Sequence, residues 1–361
     1  MRSLFISMLA SLLILGAGCS EPLNREAKIG RLHRAYVDTE RTNWQGDRPR
    51  PIAATVWYPA SSNSIESEWS VSVFRFGRSA LDAPFADTKR YPLVVISHGT
   101  GGSAAQLSWL AESLVNAGFM VAGVNHHGNT AAEDTNSPPG FVLPEERARD
   151  LTVLIDHLLA DHELAKHIDP TRIGAAGFSL GGYTVLAVAG AHLTFADWQS
   201  RCKGKADSPA CRLPPEANFS IEDVRSLAEK SAAFKAGLAR GQQPANDPRI
   251  RAVYAIAPAL VTLLDKQNLS AIQVPVKIVL AEQDEQVDMS ETAEVISRDL
   301  PSAEIMRIPY AGHYAFLAPC TLRGKLFLSA LCRDSNRIVR SELHGRIGLD
   351  AASFFKAHLQ P

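Results

Sequence analysis

Runs of lysine or arginine are missing from this chain, and 37 basic residues stand against 38 acidic ones, leaving a formal charge of -1 at pH 7. Nucleic acid is therefore not an expected partner, because phosphate recognition needs a concentrated basic face. The dinucleotide fingerprint is missing too. The one dense glycine cluster, His98-Gly99-Thr100-Gly101-Gly102, lacks its spacing, so no cofactor is expected. No repeat or low-complexity tract interrupts the chain. Apolar runs are short: Leu4 to Leu15 falls below the length of a membrane span. Cysteine is scarce, with five residues, and none lies in the close pairs of a zinc knuckle, so no metal is expected.

What the chain does have begins at its N-terminus. Arg2 precedes the apolar run, and Gly16-Ala17-Gly18-Cys19 sets small residues before a cysteine. This resembles a bacterial lipoprotein signal peptide, which implies that residues 1–18 are removed and that Cys19 carries a lipid. Leucine stands one position earlier than the usual lipobox places it, with Gly16 in its slot, so a plain cleaved signal peptide is the alternative. Both export the protein. Without Cys19, Cys202, Cys211, Cys320 and Cys332 allow three pairings. Short loops favour Cys202 with Cys211 and Cys320 with Cys332, and an oxidising compartment would sustain both bonds.

At 361 residues and 46% hydrophobic composition the chain can bury a large core, and one catalytic domain over 19–361 is expected. Strand-like runs lie at Ile52–Tyr58, Leu93–Ser97, Met120–Val124, Arg172–Gly177, Arg251–Ala257, Val276–Leu280 and Glu304–Ile308. Leu107, Leu110, Ala111, Leu114 and Val115 follow helical spacing, as do Leu151, Leu154, Ile155, Leu158 and Leu159. Alternating strands and helices predict a mainly parallel sheet covered on both faces. Two segments break the alternation. Glu66–Lys89 reads as an irregular excursion with Trp69, Phe74, Phe76 and Phe85, and 191–248 reads as a cap-like insertion. Aromatics in both are expected to pack the inserts.

The chemistry is carried by Gly177-Phe178-Ser179-Leu180-Gly181-Gly182, placed between a short apolar strand and a small-residue helix. That is the sequence form of a nucleophile elbow, in which glycines two residues either side of the serine relieve a sharp turn. A serine so placed needs a base, an orienting acid and oxyanion donors, in the chain order Ser, Asp or Glu, His. His313 follows the run Glu304–Pro309 and is favoured as the base over His344, which has no strand before it. Glu282, Asp284 and Glu285 follow Val276–Leu280 as candidate acids. The HGTGG loop after Leu93–Ser97 can approach a ligand closely, so the amides of Thr100 and Leu180 are the expected donors. His126 and His127 read as loop-stabilising or pocket-lining rather than catalytic.

These motifs, with Val56-Trp57-Tyr58-Pro59 and Asn125-His126-His127-Gly128-Asn129, make the chain from about Ile29 onward resemble the α/β-hydrolase superfamily. Within it the chain is similar to bacterial predicted dienelactone hydrolases and platelet-activating-factor acetylhydrolase-like esterases. The resemblance implies an acid a few residues past its strand, which favours Asp284, while Glu285 and Asp288 can serve as first-turn acids of the next helix. True dienelactone hydrolases use cysteine where this chain has Ser179, so that activity does not transfer. The implied reaction is ester hydrolysis on Ser179, Asp284 and His313, with a small-molecule or lipid ester as substrate and the membrane reached through a lipid on Cys19. An exported peptidase or amidase on the same residues, or a binding lipoprotein without catalysis, are the alternatives. The oligomeric state is not encoded in any motif.

Expressed in a Gram-negative host, the protein is expected to fractionate with membranes, the outer one by preference, and Cys19→Ser to release or stall it. A soluble wild-type product cleaved elsewhere, found by mass spectrometry of its N-terminus, would remove the lipid anchor and leave export standing.

Overall fold

Leu93, Val94, Val95 and Ile96 are all fully buried, yet Leu93 and Val95 pack into one apolar cluster while Val94 and Ile96 pack into another. Successive side chains of a strand point to opposite faces, so this segment lies in a sheet covered on both sides. The computed structural model describes residues 28–205 and 207–360; the expected leader 1–18 and Cys19 lie outside them. Its strands are β1 (Lys28–Thr42), β2 (Pro49–Ala60), β3 (Ser67–Val71), β4 (Phe74–Leu81), β5 (Tyr91–Ser97), β6 (Met120–Asn125), β7 (Ile168–Phe178), β8 (Ile250–Ile256), β9 (Val276–Ala281) and β10 (Glu304–Ile308).

They form one sheet in the order β10-β9-β8-β7-β5-β6-β2-β1-β4-β3. From β10 to β6 every neighbouring pair is parallel, and β2 and β1 add antiparallel strands beyond β6. Helices Pro144–Ala160, Leu180–Val188 and Met289–Asp299 cover one face through Leu151, Leu154, Val185 and Ile296. Helices Ser108–Asn116 and Arg340–His358 cover the other through Leu110, Leu114, Ile347 and Phe355. Register aligns Ser97 with Gly177 and Phe178 with Ile256, so the carboxyl ends of β5, β7 and β8 finish side by side. Loops that leave those ends meet at one rim.

The excursion 66–89 is a correction: it holds the antiparallel pair β3 and β4, and β4 joins the sheet through Gly30 and Arg31 of β1. Its apolar residues alternate with arginine and serine that face solvent, a diluted period that reads as irregular in sequence. Phe74 and Phe76 are buried, and the Trp69 ring lies 4.9 Å from that of Phe76. Segment 191–248 carries helices Phe195–Arg201, Ile221–Lys230 and Ala232–Arg240, whose Val224 and Phe234 pack with Trp44 and Leu143 in a separate small cluster. Disulfides join Cys202 to Cys211 and Cys320 to Cys332. Among the described residues no helix is long and apolar enough to cross a membrane.

Asp150, fully buried on helix Pro144–Ala160, ties the antiparallel strands to the parallel block. Its Oδ1 accepts from Arg41 at 2.7 Å and from Arg50 at 2.8 Å, and its Oδ2 accepts from Arg50 and from His126 Nδ1, both at 3.0 Å. Burial alone would push this carboxyl up, but Arg50, Arg41 and the His126 hydrogen bond outweigh it and hold the group well below the usual range. Asp150→Asn should therefore cost about 3–5 kcal/mol, because the buried Arg50 guanidinium loses its counter-charge while Arg41 keeps only Asp38 and Glu146. A depressed folded value means that Asp150 contributes fully above the unfolded carboxylate range and loses that contribution as pH falls through its folded value. Urea unfolding of both proteins at neutral pH checks the size; a loss below about 1 kcal/mol would contradict the assignment.

Candidate active site

Ser179 closes β7 at φ 57° and ψ -120°, a left-handed conformation that costs a non-glycine residue about 1–3 kcal/mol. Backbone bonds hold it there: its N–H donates to Ile256 at 2.9 Å, and its carbonyl accepts from Ala259 at 3.0 Å and Tyr183 at 3.1 Å. Gly177 and Gly181 make the turn possible. A Cβ on Gly177 would stand 2.1 Å from the carbonyl oxygen of Gly181, and one on Gly181 would stand 2.0 Å from that of Ser97. The second collision is with β5 rather than across the elbow, so the glycines serve packing between neighbouring strands as well as the turn.

His313, in the loop after β10, meets Ser179. Its Nε2 lies 2.9 Å from Ser179 Oγ, and its Nδ1 lies 2.8 Å from Asp284 Oδ2. Asp284 in turn accepts the N–H groups of Gln286 and Val287 on Oδ1, each at 2.8 Å, which fixes the carboxylate in its loop. Nδ1–H therefore donates to the carboxylate, and Nε2 is left to accept the serine proton. Of the competing acids, Glu282 is exposed, Glu285 accepts the His313 backbone N–H at 3.3 Å, and Asp288 caps the next helix through the Glu291 N–H. His344 is elsewhere: it is buried, stacked on Trp109 at 4.2 Å, and bonded to the Ala315 carbonyl. Burial pushes His344 down to about 3, so it stays neutral.

Leu180 opens its helix, so its N–H has no carbonyl within that helix to bind. The Thr100 N–H likewise finds no protein acceptor among the described residues. The Thr100 loop touches the nucleophile, since a Cβ on Gly99 would lie 3.3 Å from Ser179 Cβ. The loop is braced by groups that sequence reading did not connect. The backbone N–H of His126 donates to His98 Nε2 at 3.1 Å, so His98 Nδ1–H donates to the Gly99 carbonyl at 2.7 Å. Burial first, then the Arg147 charge, hold His98 well below its ordinary value and push His126 down to about 3. Arg147 donates to the His98 carbonyl and, at 3.2 Å, to Thr184 on the elbow helix. His127 is bound to Trp44 and Glu133, and neither His126 nor His127 lines the cavity.

Ser179 and His313 open into a cavity of about 460 Å³. Phe141, Leu193, Phe195 and Trp198 supply apolar walls, and Glu216 and Tyr314 supply polar ones. Phe195 and Trp198 belong to the 191–248 segment, and the Trp198 indole N–H donates to the Ala210 carbonyl inside the Cys202–Cys211 loop. Trp69, Phe74, Phe76 and Phe85 do not reach it. Such an arrangement can activate a hydroxyl next to two free backbone donors at the edge of an apolar pocket.

A parallel sheet, a strained serine at a strand-to-helix turn, and a histidine and aspartate delivered by the last two strand loops define an α/β-hydrolase fold. The chain superposes on a ferulic acid esterase from Streptomyces cinnamoneus with a TM-score of 0.58 at 19% identity, over 93% of this chain and 91% of that one, a likeness of fold. Residues 39–205 match the PET hydrolase-like family, a span that includes Ser179 and the Thr100 loop but ends before Asp284 and His313. Over 181 residues the chain is 30% identical to cutinase est1 of Thermobifida alba, covering 46% of this chain and 57% of that protein. Over 130 residues it is 32% identical to cutinase cut1 of Thermobifida fusca, covering 34% and 37%. The matched region thus spans about half or less of these curated relatives.

Gly181→Ala should destabilise the protein by about 3 kcal/mol or more, since its Cβ meets a backbone carbonyl that no rotamer change can move aside. Gly345→Ala, helical and with nothing within 4 Å of the new Cβ, should instead stabilise by about 0.5–1 kcal/mol. Thermal unfolding of the two variants checks the contrast, and equal effects would contradict it.

Proposed function

We propose that the chain hydrolyses carboxylic esters through an acyl-enzyme on Ser179. The observation that carries this reading is His313 bridging Ser179 Oγ at 2.9 Å and Asp284 Oδ2 at 2.8 Å beside an open apolar cavity. His313 takes the serine proton as Oγ attacks the ester carbonyl, and Asp284 holds the imidazole tautomer and balances its positive form. The oxyanion is received by the amides of Thr100 and Leu180. His313 then protonates the leaving alcohol, and in the second half-reaction it activates water against the acyl-enzyme. Ester rather than amide chemistry is supported by the similarity to proteins named cutinase and, for the first half of the chain, to PET hydrolase-like proteins.

In this reading residues 19–361 are the catalytic domain, 191–248 is a cap that shapes the acyl or alcohol pocket, and the serine nucleophile fits acetylhydrolase-like esterases within the superfamily. Export is supported by the two disulfides, and attachment through Cys19 is part of the same proposal.

Purified protein should cleave short p-nitrophenyl esters in preference to peptide anilides and should be labelled by a fluorophosphonate. Ser179→Ala should abolish both, with the fold retained by circular dichroism, because loss of the nucleophile commonly removes several orders of magnitude in rate. Asp284→Asn and His313→Ala should each collapse activity while the exposed Glu282→Gln keeps most of it. More than a few per cent of activity left in Ser179→Ala would refute the nucleophile; damage from Glu282→Gln but not from Asp284→Asn would refute the acid.

A further inference from the structure

Glu216 brings an unpaired carboxylate into the wall of the cavity that holds Ser179 and His313. It belongs to the insertion, in a turn closed by the Ala217 N–H on the Pro214 carbonyl at 2.9 Å. Its stem lies on the Thr100 loop: a Cβ on Gly101 would come within 3.1 Å of Glu216 Cβ and 3.2 Å of its Cγ. Its carboxylate faces the Tyr314 hydroxyl and lies close enough to His313 to feel its charge. Among the described residues no lysine or arginine pairs with it. The other carboxylates on this wall have assigned tasks, Glu285 accepting the His313 N–H and Asp288 capping a helix, and the one guanidinium there, Arg212, is exposed.

A charge next to aromatic walls is screened less than one in water, so it acts strongly on whatever enters. An anionic substrate would meet an uncompensated like charge. A cationic one would meet both the carboxylate and aromatic faces that attract cations. Burial pushes the Glu216 carboxyl up, which marks a group whose charge its apolar surroundings tolerate poorly and a cation would relieve.

We infer that Glu216 sets the charge preference of the site, favouring esters that bear an ammonium group near the reacting carbonyl and rejecting esters that bear a carboxylate there. The inference rests on the ester-hydrolase reading. It is tested with three p-nitrophenyl esters of matched length: a neutral alkanoate, the monoester of glutaric acid, and the ester of a trimethylammonio-butanoic acid. For wild type, Glu216→Gln and Glu216→Lys, kcat/KM on the two charged esters is divided by that on the neutral one.

Wild type should prefer the cationic over the anionic ester, Glu216→Gln should shrink that ratio by about tenfold, and Glu216→Lys should invert it. That size corresponds to about 1.4 kcal/mol of differential transition-state binding. Raising the salt concentration should shrink the wild-type ratio more than that of Glu216→Gln. If Glu216→Lys does not fold, Glu216→Gln and the salt series decide. A ratio in Glu216→Gln within about twofold of wild type, while wild type cleaves the neutral ester, overturns the charge preference alone. Wild type inert toward all three esters overturns the underlying reading as well.

Discussion

A serine held at φ 57° is the constraint on which the rest of this rim depends. Such a backbone persists only where its surroundings over-determine it. Here they do so from three directions: β8 accepts the serine N–H, the loop after β8 donates to its carbonyl, and the helix that follows takes up the first turn. The first two of those bonds require β7 and β8 to run parallel and in register, since Phe178 must stand beside Ile256. Packing the parallel strands between two layers of helices is thus what holds the buried Ser179 at a strained turn facing the cavity.

The second arm of the site is held by charge rather than by packing. Arg41 and Arg50 come from β1 and β2, Asp150 from a helix, and His126 from the end of β6, and they converge on one buried carboxylate. From His126 the chain of bonds continues to His98 and Ser97, and Arg147 spans from the His98 carbonyl to Thr184 beside the elbow. The Thr100 loop and the Ser179 turn are therefore fixed to each other through a buried polar network, in which Arg50 and Arg147 each keep one nitrogen without a protein partner. A buried network of this kind adds little net stability compared with an apolar core of the same volume, but it specifies one arrangement. For two backbone amides proposed to meet a single oxyanion, a unique arrangement matters more than extra stability.

How far this was legible in the sequence follows from the range of each interaction. Leu93–Ser97 reads as a strand because both faces are buried, and an uninterrupted apolar run needs no knowledge of its partners. Gly177, Ser179 and Gly181 read as an elbow because the clash relieved at Gly177 lies within five residues, whereas the demand of Ser97 on Gly181 comes from β5 and does not show in the sequence. β1 and β4 do not read in this way, since their buried positions are filled in part by arginine and serine, and β3 has no fully buried position. Arg31 can be buried only because it stacks over Trp69 at 4.0 Å and bonds Ser79, partners 38 and 48 residues away in sequence. Asp150 looks like any acid on an amphipathic helix until Arg41 and Arg50 arrive from two strands. Among the candidate acids, position past the strand favoured Asp284, but the physical discriminator is the pair of N–H groups from Gln286 and Val287 that aim its carboxylate.

The insertion follows a different rule from the sheet. Its apolar cluster is small, and its helices begin with local devices, Thr194 and Ser220 each forming a capping box with an acid three residues on. It meets the Asp150 network at one place, where Arg240 pairs with Glu146 beside Arg41, and its loop 202–211 is restrained by its own disulfide. The part that carries Phe195, Trp198 and Glu216 thus has its own small core and its own disulfide, and joins the part that holds the reacting groups at a few points. Changes to the pocket wall need not disturb the turn at Ser179, which is the condition for one scaffold to keep its chemistry while the ester it accepts is altered.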